Sequence, residues 1–87
     1  MTLEDAKTYL RVDWDDEDNL IQSLMLTSER LVRDVGRLSD DRQLDETSEG
    51  AFRYALAYLY ENRNTADMHR LILNLRSLLF AQREGVI

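Results

Sequence analysis

The chain has 87 residues, no cysteine, no proline and a formal net charge of −6. This length fits one domain, expected to span residues 1–87, and the lack of cysteine excludes disulfides, thiolate metal sites and thiol nucleophiles. The negative charge opposes non-specific binding to nucleic acid. No apolar run approaches the roughly 20 residues of a membrane span, so we expect a soluble protein without membrane contact.

A short first helix is predicted at the N-terminus. Thr2 and Asp5 have the spacing of a capping box, and apolar residues follow at helical steps as far as Leu10. The helical period breaks after Arg11. We expect Trp14 to be mostly buried where this helix meets the next, with its indole N–H donating to a carbonyl.

The longest helical pattern runs from Asp15 to Gly36, and the other segments are expected to pack on it. Asp15 or Asp16 is predicted to cap its start, and Gly36 is predicted to take the left-handed conformation that ends a helix. One stripe of this helix is expected to face the core: Leu20, Ile21, Leu24, Ser28, Leu31, Val32 and Val35.

The polar stretch from Arg37 to Glu49 is predicted to be a loop, and Thr47 or Ser48 is predicted to cap the third helix. The core stripe of this helix is expected to comprise Ala51, Phe52, Ala55, Leu56 and Leu59.

Tyr54 and Tyr58 share another face of the third helix, at a spacing of four residues. They either cover the edge of the same core or meet a neighbouring subunit, and we favour the edge of the core.

The fourth helix is predicted from Ala66 to Glu84, after a cap at Asn64 or Thr65. Leu73 and Phe80 fall off its apolar row, so they are expected to face outward or toward a partner. The row itself comprises Met68, Leu71, Ile72, Leu75, Leu78 and Leu79.

These patterns predict an all-α protein, a small bundle of about four helices with a long second helix. One core is expected to contain Leu10, Leu20, Leu24, Leu31, Phe52, Ala55, Leu56, Leu59, Leu71, Ile72 and Leu75.

No catalytic, cofactor or metal site is predicted. The acids from Asp13 to Asp18 invite comparison with a calcium loop, but Asp18 and Leu24 stand where that loop needs glycine and glutamate. His69 is the only histidine, so no histidine pair is available to hold a metal. A helix-turn-helix DNA binder would need a basic recognition helix, whereas the most basic helix here is dominated by leucine. We therefore expect a protein that is not an enzyme.

Charge is unevenly distributed along the chain. Residues 1–49 hold fourteen acids and six bases, a net charge of −8, and residues 50–87 hold three acids and five bases, a net charge of +2. Such asymmetry is either chance in a short chain or a basis for head-to-tail contact between copies. Ten of the eleven bases are arginine, whose planar group favours paired carboxylates at interfaces, and this bias supports assembly.

Several segments, in order and over nearly the whole chain, resemble the phage head-tail connector proteins, small helical adaptors also described as DNA-packaging proteins. They are Tyr9-Leu10-Arg11-Val12-Asp13, the acids 15–18, Leu20-Ile21, Leu59-Tyr60-Glu61-Asn62-Arg63, and Leu78-Leu79 followed by Arg83. The chain departs from the family at Ala81-Gln82, where the family often has Pro-Tyr before the final arginine.

The resemblance implies a structural adaptor of a tailed-phage virion, assembled as a ring beneath the portal to join head and tail and continue the DNA channel. The implied partners are copies of itself, the portal protein and a tail-side completion protein, with DNA passing through without specific binding. The implied location is the virion, and the host cytoplasm during assembly. The alternative is a small helical interaction or regulatory protein without a virion role.

A ring requires one patch of each subunit to meet a different patch of the next. The basic candidates lie on the fourth helix, with outward apolar residues between them: Arg70, Leu73, Arg76, Phe80 and Arg83. The acidic candidates are Asp13, Asp15 and Asp16, within the acids from 13 to 18, or alternatively Asp40 and Asp41.

Overall fold

The computed structural model describes residues 1–41 and 43–85, with side chains described for residues 1–41 and 43–80. Four helices make up the fold: α1 (Leu3–Leu10), α2 (Asp18–Gly36), α3 (Glu46–Glu61) and α4 (Met68–Gly85). No strand occurs in the described part of the chain. The predicted all-α bundle with a long second helix is therefore confirmed.

Three helices form the body of the molecule. The helices α2, α3 and α4 pack on one another, and α1 packs on α2 and α3. Within the described residues α1 and α4 make no contact, so they lie on different parts of the surface formed by α2 and α3.

The buried apolar residues form two clusters, whereas one core was expected. The larger cluster joins α2, α3 and α4 and contains Val32, Ala51, Phe52, Ala55, Leu59, Leu71, Leu75 and Leu79. The smaller cluster holds α1 and Val12, the second residue after it, against α2 and α3, and contains Ala6, Val12, Ile21 and Leu56. Leu24 and Met25 pack against both clusters and connect them.

Some residues that we expected in the core are only partly buried. These are Leu10, Leu20, Leu24, Leu31 and Ile72. On α4 the buried row is Leu71, Leu75 and Leu79, at steps of four residues. This row turns Met68 and Leu78 toward solvent, where they are 40% and 43% exposed, so the predicted apolar row of α4 is only partly buried.

The predicted capping box opens α1. The side chain of Thr2 accepts a hydrogen bond from the backbone N–H of Asp5 at 3.1 Å, and the Asp5 carboxylate accepts from the backbone N–H of Thr2 at 3.2 Å. Two of the N–H groups that a helix start leaves without an intrahelical partner are thereby satisfied.

The start of α3 lies at Asp45, and neither Thr47 nor Ser48 caps it. The Asp45 carboxylate accepts from the backbone N–H of Ser48 at 2.8 Å, and α3 begins at Glu46. A carboxylate is favoured there because it also meets the positive end of the helix dipole. The loop after α2 is therefore shorter than the predicted range of 37–49.

The start of α4 was also placed too early. Asp67 accepts from the backbone N–H of Arg70 at 3.1 Å, and the helix begins at Met68 instead of directly after Asn64 or Thr65. The helix continues to Gly85, so its backbone stays helical through Ala81 and Gln82.

Two helices end on arginine in the left-handed conformation. Arg11 has φ 60° after α1 and Arg37 has φ 54° after α2. After each arginine the chain turns back, and the next backbone N–H donates to a carbonyl of the last helical turn, at 2.9 Å for Val12 and 2.8 Å for Leu38. Both ends therefore have the Schellman pattern without glycine.

The prediction that Gly36 takes the left-handed conformation was wrong. Gly36 is the last residue of α2 and is buried. A Cβ atom at this position would lie 3.4 Å from side-chain atoms of both Leu38 and Leu79. The loop and α4 therefore leave room for a Cβ atom at the end of α2 but not for a larger side chain.

The tyrosines of α3 join this helix to the next one at the edge of the core. The Tyr54 hydroxyl accepts from the Asn74 side-chain amide at 2.9 Å, and the Tyr58 hydroxyl accepts from the backbone N–H of Asp67 at 3.0 Å. Both rings are partly buried against the larger cluster, which confirms the interpretation we favoured.

Candidate subunit interface

The outward face of α4 combines two arginines with apolar residues. Because the opposite face enters the core, Leu73 is 45% exposed, with Arg70 three residues before it and Arg76 three residues after it, both exposed. Phe80 lies one heptad beyond Leu73 and is partly buried. No acidic residue occurs between Met68 and Phe80, so the edges of this face are positive, and exposed His69 and Ser77 lie one turn before and after Leu73. The fifth candidate, Arg83, lies outside the residues whose side chains are described.

The three acidic candidates lie in the connection between α1 and α2. Asp13, Asp15 and Asp16 are all exposed. None of these three acids forms a salt bridge with Arg70 or Arg76 in the described structure.

A nearly buried lysine fixes this connection. Lys7 has a side chain only 7% exposed, and its Nζ lies 2.6 Å from Asp15 Oδ1 and 2.8 Å from Asp18 Oδ1. The hydrogen bonds to Asp15 and Asp18 raise the pKa of Lys7, and the hydrogen bond from Lys7 lowers the pKa of Asp15. Because the Asp15 carboxylate is directed to Lys7, the predicted cap by Asp15 or Asp16 was wrong, and α2 begins at Asp18.

Glu17, at the N-cap position of α2, gathers several donors. Its Oε1 accepts from the Tyr60 hydroxyl at 2.6 Å and from the Trp14 indole N–H at 3.1 Å, and its Oε2 lies 3.4 Å from Arg63. The hydrogen bond from Tyr60, followed by that from Trp14, lowers the pKa of Glu17. The Arg63 guanidinium also lies over the Tyr60 ring, 4.8 Å from its centroid.

The environment of Trp14 differs from the prediction. The side chain is half exposed, and its N–H donates to the carboxylate of Glu17 in place of a carbonyl. The connecting segment that carries Trp14 lies at the end of the bundle, where too few side chains surround the indole to bury it.

A groove between α1, α2 and α3 was missed in the sequence. Two neighbouring cavities, of about 230 and 380 Å³, share Met1 and Phe52 in their linings. Leu26 lines the larger cavity and is 74% exposed, the most exposed of the large apolar side chains described. Its position off the core stripe of α2 is a signal that could have revealed the groove.

The described residues contain no group of three or more histidine, aspartate or glutamate side chains that could hold a metal ion. No helix in the described chain is long and apolar enough to cross a membrane.

Comparison with known proteins identifies the family. The family model described as phage gp6-like head-tail connector protein matches residues 1–81. Comparison with curated proteins and with solved structures gives no match. The family match covers all four helices except the last residues of α4, and it agrees with the resemblance of the individual segments. The chain therefore belongs to the family of phage gp6-like head-tail connector proteins, which are structural proteins of the virion.

Proposed function

We propose that copies of this chain assemble as a ring beneath the portal of a tailed-phage capsid, where the ring joins head and tail and continues the DNA channel. Family membership supports the connector role. The observation that carries ring assembly is the presence of two unlike exposed surfaces: a face of α4 with arginines and apolar residues, and an acidic segment between α1 and α2, with no salt bridge between the two surfaces in the described chain. Unlike patches that do not pair with each other within one subunit allow each copy to bind the next.

The proposed subunit contacts involve the residues singled out in the sequence. Arg70 and Arg76 supply positive charge beside Leu73 and Phe80, and Asp13 and Asp16 are exposed acids on the neighbouring copy. Asp15 contributes together with Lys7, and Arg83 is a further basic candidate from the sequence. Exposed charge pairs contribute only about 0 to 1 kcal/mol each, so they select the register while apolar contacts supply most of the binding energy.

The proposed outer partners are the portal protein on one side and a tail-side completion protein on the other. A net charge of −6 favours a channel that DNA traverses without being bound. Assembly would take place in the host cytoplasm before the ring becomes part of the virion. The proposed role is mechanical and requires no catalytic residue or cofactor.

Purified portal rings provide the test. The chain should bind them in a fixed stoichiometry and appear by electron microscopy as a second ring coaxial with the portal. Absence of any association with portal rings, at concentrations where the isolated chain is soluble and folded, would contradict the proposal. A regulatory protein without a virion role would also fail this test, and its gene would not be expected between portal and tail genes.

A further inference from the structure

The groove beside α1 has an apolar floor that none of the described residues of the subunit covers. Met1, Leu3 and Met25 line its larger part together with Leu26, and Phe52 lies where its two parts join. Met1 and Leu26 are exposed, and Leu26 retains about three quarters of its accessible surface. Exposed apolar residues gathered along a concave surface are typical of a protein-binding site.

The rim of this groove carries a net charge of −1. Asp5 of α1, Glu29 of α2 and Glu49 of α3 contribute three carboxylates, and the Arg53 side chain and the N-terminal ammonium of Met1 contribute two positive charges. Asp5 accepts from the backbone of Thr2, and the backbone hydrogen bond lowers the pKa of its carboxyl, so it remains ionised at neutral pH. Glu29 has one oxygen 2.9 Å from Arg33. A ligand with an apolar ridge and positive edges would complement this surface.

The outward face of α4 has this chemistry. Leu73 lies between two exposed arginines, with Phe80 one heptad further along the same face, about 10 Å along the helix axis. Between Met68 and Phe80 α4 carries no acid that would be repelled by the rim. A helix that presents apolar residues to a groove between other helices is a common mode of protein recognition.

The α4 of the same subunit cannot fill the groove. It is packed against α2 and α3 through Leu71, Leu75 and Leu79, and it makes no contact with α1 within the described residues. A second copy is therefore the occupant that supplies the required face, and its own groove remains open to a third copy.

We infer that the outward face of α4 of one subunit docks in the groove between α1, α2 and α3 of the next subunit, with Leu73 against Leu26 and the α4 arginines facing the carboxylates of the rim. This inference rests on the proposed ring and assigns its interface. No residue of the α1–α2 connection lines the groove, so Asp13, Asp15 and Asp16 act on this contact only at longer range. Because groove and ridge are unlike, the contact repeats from copy to copy.

Complementation between two variants tests this assignment. Leu26→Asp places a charge in the groove and leaves the α4 face intact, and Leu73→Asp does the reverse. Each variant alone should remain monomeric at concentrations at least about tenfold above those at which the unmodified chain assembles, since an unpaired charge is costly in an apolar contact. Mixed together, with one variant labelled with ¹⁵N, they should form one-to-one heterodimers and nothing larger.

The heterodimer is expected because each mixed pair contains one intact groove and one intact ridge, which together make a single contact. Both substituted leucines are exposed, so circular dichroism and the thermal midpoint should match those of the unmodified chain. The control is Leu78→Asp, which alters a leucine of similar exposure about 140° around α4 from Leu73 and should leave assembly unchanged.

The possible results distinguish an error in the groove assignment from an error in the proposed ring. Rings formed by both single variants, or rings lost only in Leu78→Asp, would overturn the groove assignment and leave the proposed function standing. Absence of any assembly by the unmodified chain, with or without portal rings, would instead remove the proposed function, and the interface with it.

Discussion

The hydroxyl of Tyr60 donates to Glu17 Oε1 at 2.6 Å, a contact between residues 43 positions apart in the chain. It joins the end of α3 to the start of α2, beside the connection that leads back to α1. Glu17 also accepts a hydrogen bond from the Trp14 indole N–H. The same carboxylate therefore contacts both the end of the bundle and the segment that carries Asp13, Asp15 and Asp16. This contact fixes where the acidic segment lies relative to the other helices.

Tyr60→Phe should lower the thermal midpoint by roughly 4 to 8 °C, because a hydrogen bond to a partly buried carboxylate is lost while the ring is retained. The measurement is thermal unfolding followed by circular dichroism. Tyr9→Phe is the matched control, since Tyr9 is exposed, and it should leave the midpoint unchanged. Equal midpoints for Tyr60→Phe and the unmodified chain would show that the contact does not contribute to stability.

Stability should fall in acid. The pKa of Glu17 is lowered by its hydrogen bonds from Tyr60 and Trp14, and that of Asp15 by Lys7. The folded state therefore binds these protons less readily than the unfolded state. Their contribution is complete above the ordinary pKa of Glu, 4.5, and is lost as pH falls from there through the lowered folded pKa values.

Urea unfolding between pH 7 and 3, followed through the single tryptophan, measures this dependence. Glu17→Gln removes one of the titrating groups, so its stability should be lower at pH 7 and should fall less steeply below pH 4.5. Parallel curves for this variant and the unmodified chain would exclude Glu17 as a source of the acid sensitivity.

Substitutions at the end of α2 should follow the observed conformations. Gly36→Ala should change the free energy of unfolding by less than about 1 kcal/mol, because its Cβ reaches ordinary contact distance and alanine favours helix. Gly36→Leu should cost about 2 kcal/mol or more through overpacking against Leu38 and Leu79. Arg37→Gly should stabilise by up to about 1 kcal/mol, since glycine adopts the left-handed conformation without strain.

Denaturant unfolding of these three variants gives the comparison directly. If Gly36 were the left-handed residue, as the sequence suggested, Gly36→Ala would be the damaging change and Arg37→Gly would bring no gain. That order of stabilities would contradict the observed end of α2.

Duplex DNA should not be bound at physiological salt. With a net charge of −6, the chain should give a dissociation constant weaker than about 100 µM in a gel-shift titration. Any weak association should appear only at low ionic strength, which a parallel titration at about 10 mM salt would reveal. Tight binding retained at physiological salt would contradict passage of DNA without specific binding.

Local sequence patterns predicted the parts of the fold that depend on neighbouring residues. The capping-box residues Thr2 and Asp5 are three positions apart, and the buried stripe of α3 follows from the helical period alone. The bundle class follows from these patterns. Outward Leu73 was likewise predictable because it lies off the buried row of α4.

Long-range contacts determined what the sequence did not reveal. Lys7 binds the Asp15 carboxylate, so Asp15 does not cap α2. Tyr60 and Trp14 both donate to the Glu17 carboxylate, and no local sequence pattern connects Glu17 to Tyr60. Arg37 takes the left-handed conformation that glycine usually takes at the end of a helix. The sequence pattern therefore assigned this conformation to Gly36 by mistake. The groove is formed by three helices at once, and the carboxylates of its rim come together only when they are packed.

Ring assembly is tested most directly by native mass spectrometry across a concentration series, with and without portal rings. The predicted result is a monomer in dilute solution and one closed oligomer of more than two subunits when the protein is concentrated or seated on the portal. Arg76→Glu should shift this equilibrium toward monomer, more strongly at low than at high salt, because screening weakens exposed charge contacts. A closed symmetric dimer, or a strict monomer even in the presence of portal rings, would contradict assembly of this chain as a ring.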